Sequence, residues 1–324
     1  MLHTHKTPFL PAPPSSPLIA ISPDCARIET ETFKPATCPL YPKMDIRPSP
    51  IAGQWYPGTP QQLVTSVDRY LDAAALPPLP GEVVAVIAPH AGHIYSGAVA
   101  GHAFAALRGR SPELVIVASP MHQPYAQPLL TSAHGAYQTP LGVIPVEKAA
   151  LAALDEDLRR SLGFGLAAVR RDREHSLEIE LPFLQRALSG PFSLLPVMIR
   201  DTSPGTLQAL GEAFARVAEH RDSLLVASTD LSHFYPQNVA ERLDAEMLRR
   251  IAAFDPLAVL QAEEQGVGFA CGRGAVAAVL WAARALGADA VTVLAYATSG
   301  DVTGDYSQVV GYGAAAITRR TEDE

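Results

Sequence analysis

Four short stretches of this chain carry side chains that bind metal ions or move protons. They are Pro89-His90-Ala91-Gly92-His93-Ile94-Tyr95-Ser96-Gly97, Ser119-Pro120-Met121-His122-Gln123, Ser228-Thr229-Asp230-Leu231-Ser232-His233 and Ala270-Cys271-Gly272-Arg273-Gly274. Two imidazoles, His90 and His122, with a thiolate from Cys271 make a donor set suited to Fe(II), Zn or Cu. His233, with the Asp230 carboxylate three residues before it, is suited to orienting a ligand or moving protons. Arg273 could grip a substrate carboxylate or phosphate bidentately, and Tyr95 is a second candidate for substrate contact. Each residue also has a plainer role. A histidine after a strand often serves its loop, a lone cysteine often packs as a small hydrophobe, and Asp230 could cap a turn. Arg273 could equally be a surface residue. Spacing alone does not bring the four stretches together.

The elements around them supply that argument. Three stretches follow short apolar runs at 83–88, 114–118 and 224–227, which read as strands, and the fourth precedes an Ala-rich helix over 274–286. In open α/β sheets ligands gather at the carboxyl ends of strands. The helix N-terminus beside Cys271 is expected to favour its thiolate. Further helices are predicted at 60–75, 97–107, 148–154, 176–188, 206–219, 238–252 and 256–264. Strands are predicted at 143–146, 194–199, 291–295 and 309–315, with Pro145 marking an edge. Short non-alternating strands between helices imply a sheet covered on both faces. The expected class is α/β, a single domain with a mixed, mostly parallel sheet flanked by helices on both faces.

A fifth stretch runs from Asp172 to Leu184 and includes Glu174-His175-Ser176-Leu177-Glu178. In a helix, Glu174 and Glu178 share a face, and His175 with Glu178 could stand behind metal ligands. Pro182 then lies deep enough to kink that helix. A solvated acidic first turn, favoured by the helix dipole, is the plainer reading.

Bulk properties narrow the function classes. The chain has 324 residues, 48% of them hydrophobic, and a net charge of −8. No basic block suggests nucleic acid, and no apolar run approaches the roughly 20 residues of a membrane span. Three cysteines (Cys25, Cys38 and Cys271) make no disulfide framework, which fits a reducing cytoplasm. Residues 1–43 are rich in proline and lack periodicity, so they read as a disordered extension. Met44 opens what looks like a natural beginning, and the upstream 43 residues are expected to be a mis-called start, leaving a domain over 44–324. The sequence has no Gly-x-Gly-x-x-Gly after a strand, no P-loop Lys-Ser/Thr and no Gly-x-Ser-x-Gly elbow.

In this order the five stretches resemble the Memo family, whose bacterial members are labelled AmmeMemoRadiSam system protein B. The likeness runs from about Ile46 to Ala316 and includes an opening Pro50-Ile51-Ala52-Gly53-Gln54-Trp55-Tyr56-Pro57. The resemblance implies a fold like class III extradiol dioxygenases, which use non-haem Fe(II). It implies that His90, His122 and Cys271 hold a metal, iron first and copper or zinc as alternatives. His233 and Asp230 become the catalytic acid/base pair, and His175, Glu178, Arg273 and Tyr95 contact substrate or support ligands. The implied activity is redox chemistry on an unknown small molecule. The implied alternatives are a non-catalytic metal- or phosphopeptide-binding adaptor and a maturation partner of a radical-SAM enzyme and a third component. The sequence departs from the family at His93, Met121, Gln123 and Ala275.

Overall fold

The computed structural model describes residues 45–320. The extension over 1–43, the start at Met44, Cys25 and Cys38 lie outside the described residues. The chain begins with β1 (Ile46–Arg47), α1 (Pro60–Ala73), β2 (Glu82–Ala88), α2 (His93–Ala105) and β3 (Leu114–Pro120). Then come β4 (Leu129–Ser132), β5 (Ala136–Thr139), β6 (Gly142–Pro145), α3 (Lys148–Leu162) and β7 (Ala167–Val169). A 3-10 turn at Glu178–Glu180 runs into α4 (Leu181–Ala187). The second half is β8 (Ser193–Ile199), α5 (Pro204–Ala218), β9 (Ser223–Ser228), β10 (His233–Tyr235), α6 (Gln237–Ala252), α7 (Pro256–Glu264) and α8 (Arg273–Ala285). It closes with β11 (Ala290–Thr298), α9 (Gly300–Thr303) and β12 (Val309–Arg319).

The main sheet is mixed, as expected. Its order is β10-β12-β2-β9-β3-β8-β4-β7, with β11 also on β12. The centre, β2-β9-β3-β8, is parallel, and β12 and β4 join it antiparallel. Strands β2, β3 and β9 are nearly continuous runs of Val, Ile, Leu and Ala because both faces are covered. Period-two geometry sends alternate side chains to opposite faces. Leu114, Ile116 and Ala118 pack with Leu207, Phe214, Val276 and Val279 of α5 and α8. Val115 and Val117 pack with Leu63, Val67, Val99 and Phe104 of α1 and α2. Truncating one such buried leucine to alanine costs about 2–5 kcal/mol. Helix α1 lies tight against α2 because Gly101 leaves no Cβ, which would sit 2.5 Å from the Tyr70 carbonyl oxygen. A small separate sheet, β1-β5-β6, holds Pro145 on its edge strand, as its missing N–H requires. Among the described residues no helix is long and apolar enough to cross a membrane.

Three local expectations are corrected. Helix α2 begins at His93, not near 97, so Tyr95 and Ser96 lie in its first turn. The His93 N–H reaches the Trp55 carbonyl at 2.8 Å, and the Ser96 N–H reaches that of Gly92 at 3.2 Å. The stretch from 176 does not form one helix. Its α-helical part starts at Leu181, so Pro182 is a first-turn proline and no kink is needed. Glu174 therefore shares no helix face with Glu178. Helix α3 also runs eight residues further than expected, to Leu162. Strands β4, β5 and β7, of three or four residues each, were not foreseen.

Candidate metal centre

Strands β2, β9 and β3 are neighbours, and their carboxyl ends put three of the five stretches side by side. His90 follows β2, Asp230 follows β9 and His122 follows β3. The loops are stitched by main-chain bonds. The Thr229 N–H donates to the Ala88 carbonyl at 2.9 Å and the Met121 N–H to the Ile199 carbonyl at 3.0 Å. Gly272 brings the Cys271 loop against β9; a Cβ there would collide with the Ser228 carbonyl.

His90, His122 and His175 each offer a nitrogen, and these atoms lie within 4.8 Å of one another. His122 and His175 stack with centroids 4.9 Å apart, and His90 meets both edge-on at 5.3 and 5.5 Å. Sequence reasoning had placed His175 among supporting or substrate-contacting residues; the fold brings it into the imidazole cluster. Cys271 stands against His90, its Sγ 3.1 Å from Nε2. The Asp230 N–H donates to that sulfur at 3.2 Å.

Two groups aim the imidazoles. Glu174 accepts the His122 backbone N–H on Oε2 at 2.6 Å. Its Oε1 lies 2.9 Å from His122 Nδ1. The same Oε1 accepts the N–H groups of His175 and Ser176, each at 3.0 Å. A carboxylate on Nδ1 fixes the tautomer and leaves Nε2 free for a metal. For His90, Nδ1 lies 2.8 Å from Ser228 Oγ, which again frees Nε2.

The electrostatics follow from burial and these partners. Burial pushes His90 well below the ordinary imidazole range, and His175 and His122 add to it. Burial also pulls His175 down to about 4, against the pull of Glu174. Both rings are neutral donors at neutral pH. Burial works upward on Glu174, but the His122 hydrogen bond and the neighbouring imidazoles hold it well below the carboxylate range. Burial lifts Asp230 to about 7, opposed by the N–H groups of His90 and Ala91. His233 is lowered by burial, and its Nδ1 lies 2.8 Å from the Leu231 carbonyl. The expected Cys271 thiolate is corrected: burial first, then Asp230, pushes the thiol far up, beyond what backbone N–H groups offset.

The remaining candidates sit further out. Glu178 is fully buried but faces away: Arg47 Nη1 donates to it at 2.5 Å, and Ser49 and Tyr56 bond its other oxygen. Arg273 pairs with Glu263. Tyr95 is partly exposed and lines a pocket of about 500 Å³ with Trp55, Gly92, Phe234 and Tyr312. None of the residues lining it is lysine or arginine.

Trp55 and Arg47 are among the site residues that escaped the sequence reading. Trp55 packs against His175, their ring centroids 4.1 Å apart and the rings tilted by 37°. Arg47 is buried, donating to Asp172 at 2.7 Å and to the Glu174 carbonyl at 2.8 Å, so it holds the loop that carries His175. Nothing local marked Arg47, since an arginine beside a proline ordinarily reads as surface. Trp55 carried a faint signal, being one of two tryptophans in the chain.

A MEMO1 family protein of Methanopyrus kandleri is 36% identical over 287 residues, covering 83% of this chain and 98% of that protein. Relatives of the same description from Nitrosopumilus maritimus and Thermotoga maritima are each 34% identical, covering 83% and 82% of this chain and 98% of theirs. A solved structure of an uncharacterized Escherichia coli K12 protein, JW3007, is similar over 72% of this chain and 99% of that one, at 12% identity and a TM-score of 0.40. The family model described as Memo-like protein matches residues 47–316, and the chain belongs to that family.

Proposed function

We propose that this chain is a metal-dependent enzyme that carries out redox chemistry on a small molecule. The observation that carries it is the convergence of His90, His122 and His175 within 4.8 Å, with His90 and His122 each engaged at Nδ1. Imidazoles with free Nε2 atoms suit Fe(II), with Cu or Zn as alternatives, and Cys271 is at hand beside His90. A bound metal would supply Lewis acidity and, for iron or copper, electron transfer.

The chain's own residues would handle protons. His233 keeps Nδ1 on the Leu231 carbonyl, so a neutral Nε2 is available as a base. Asp230, near 7, can hold or release a proton at neutral pH. The pocket beside Trp55 gives a small substrate a place, with aromatic faces from Tyr95 and Phe234. Its lining, without lysine or arginine, favours a small substrate over a phosphopeptide, because phosphate recognition relies on cationic donors.

The test is anaerobic loading with Fe(II), followed by metal analysis of the full chain and oxygen uptake with a panel of catechols and thiols. One metal per chain in the wild type, lost in His90→Ala and His122→Ala, is the expected result. A wild type that retains no metal, or variants that retain as much, would overturn the metal centre. Absence of turnover across the panel with metal bound would favour a binding role over catalysis.

A further inference from the structure

Ser228, the last residue of β9, has three polar neighbours. Its Oγ lies 2.6 Å from the Ser176 carbonyl oxygen, 2.7 Å from Glu180 Oε1 and 2.8 Å from His90 Nδ1. A hydroxyl has one proton and two lone pairs. The carbonyl can only accept, so the Ser228 proton goes to Ser176. Both lone pairs must then receive protons, one from His90 Nδ1–H and one from Glu180.

We infer that Glu180 is a neutral carboxylic acid which, through Ser228, locks His90 in its Nδ1–H tautomer and leaves the Nε2 lone pair facing the metal centre. Glu180 is a positioning residue for His90, and this role at the centre rests on the metal reading above.

Three further observations agree. Glu180 is fully buried, and its Oε2 has no hydrogen-bond partner. An unpartnered oxygen is tolerable on a neutral acid and costly on a carboxylate. Burial raises its affinity for the proton, and Asp230 on the adjoining loop adds to that. On the far side of His90, Cys271 Sγ lies 3.1 Å from Nε2, a contact that an Nε2 lone pair allows. With Glu180 ionised, Ser228 would turn its proton away from the Ser176 carbonyl and leave two oxygens in contact without one between them.

The two anchored imidazoles are therefore backed unequally. His122 leans on the Glu174 carboxylate, whereas His90 leans on a neutral hydroxyl and acid.

The test uses the metal-free full chain. Nitrogen-15 NMR of the histidine rings is expected to show His90, assigned by its loss in His90→Gln, with a proton on Nδ1 and none on Nε2. Infrared difference spectra of wild type against Glu180→Gln at neutral pH are expected to show a protonated carboxylic acid. Glu180→Gln, whose amide N–H can replace the acid proton, should keep the tautomer; Ser228→Ala should lose its preference. In metal titrations Ser228→Ala should bind about 10- to 100-fold more weakly and Glu180→Gln within a few fold of wild type. A carboxylate band for Glu180, or an Nε2–H tautomer in the wild type, would overturn the proposal. Both readouts report on the wild-type chain without metal, with the variants serving as references, so a chain that shows the tautomer but binds no metal would sink only the metal reading.

Discussion

Glu174 is the single carboxylate on which two loops of the centre hang, so its replacement is the most informative perturbation. It accepts from the His122 backbone, His122 Nδ1, and the backbones of His175 and Ser176, at 2.6, 2.9, 3.0 and 3.0 Å. Both oxygens face donors. A glutamine must therefore turn its NH₂ toward at least one N–H, whichever way it flips. One buried donor left unpaired costs about 1–3 kcal/mol, and the remaining bonds lose their charge assistance. Glu174→Gln is expected to lower stability by about 2–4 kcal/mol. Glu174→Ala, which abandons all four donors, should cost about 3–5 kcal/mol.

The pH dependence gives the sign. Glu174 is held below its unfolded value of 4.5, so its contribution is fully present above that value and is lost as pH falls through the folded one. Urea unfolding at a series of pH values should show the gap between wild type and Glu174→Gln full at pH 7 and shrinking below about pH 4. Metal affinity at pH 7 should drop about 10- to 100-fold. A variant as stable as the wild type at pH 7, or a gap that stays constant down to pH 3, would refute the reasoning.

Two further outcomes follow from the same geometry. His90 and His175 are already neutral and Cys271 is a protonated thiol, so metal binding through those two imidazoles releases no proton, whereas recruitment of Cys271 as thiolate releases one. Calorimetry in buffers of different ionisation enthalpy measures this; we expect about one proton for the wild type and none for Cys271→Ala, and equal release from both would remove Cys271 from the ligand set. Gly272→Ala should disrupt the centre more than its size suggests, because the added methyl meets the Ser228 carbonyl; unchanged unfolding and unchanged metal affinity would show that the loop can retreat freely.

Much of this arrangement was legible in the sequence. The apolar runs of β2, β3 and β9 mark a covered parallel sheet, and His90, His122 and Asp230 each follow one of them, so their convergence follows from a general property of such sheets. His175 was visible as a residue but not as a cluster member. Its place depends on Arg47, which lies 125 positions before Asp172, and no local pattern encodes a contact of that span. The Asp172–Leu184 stretch was misread for a related reason. Its acidic spacing suits a helix face, but Glu174 is drawn to the His122 loop and Glu178 to Arg47, so local periodicity yields to two long-range contacts. The Ser228 junction was likewise invisible, since its meaning lies in three partners from three separate segments.

Strand β12 gives the fold an order of assembly. It is the last described strand, yet it lies inside the sheet, between β2 and the pair β10 and β11. While the chain is being made, the edge of β2 that β12 will cover stands open for more than 200 residues of synthesis. That edge belongs to Glu-Val-Val-Ala-Val-Ile-Ala, a segment with strong tendency to pair with other strands. The Leu231 N–H donates to the Gly311 carbonyl and the Gly311 N–H to that of Ser232, so the loop that carries Asp230 and His233 gains its main-chain partners only once β12 has paired. A nascent chain halted before Val309 would present an unpaired apolar edge to its neighbours.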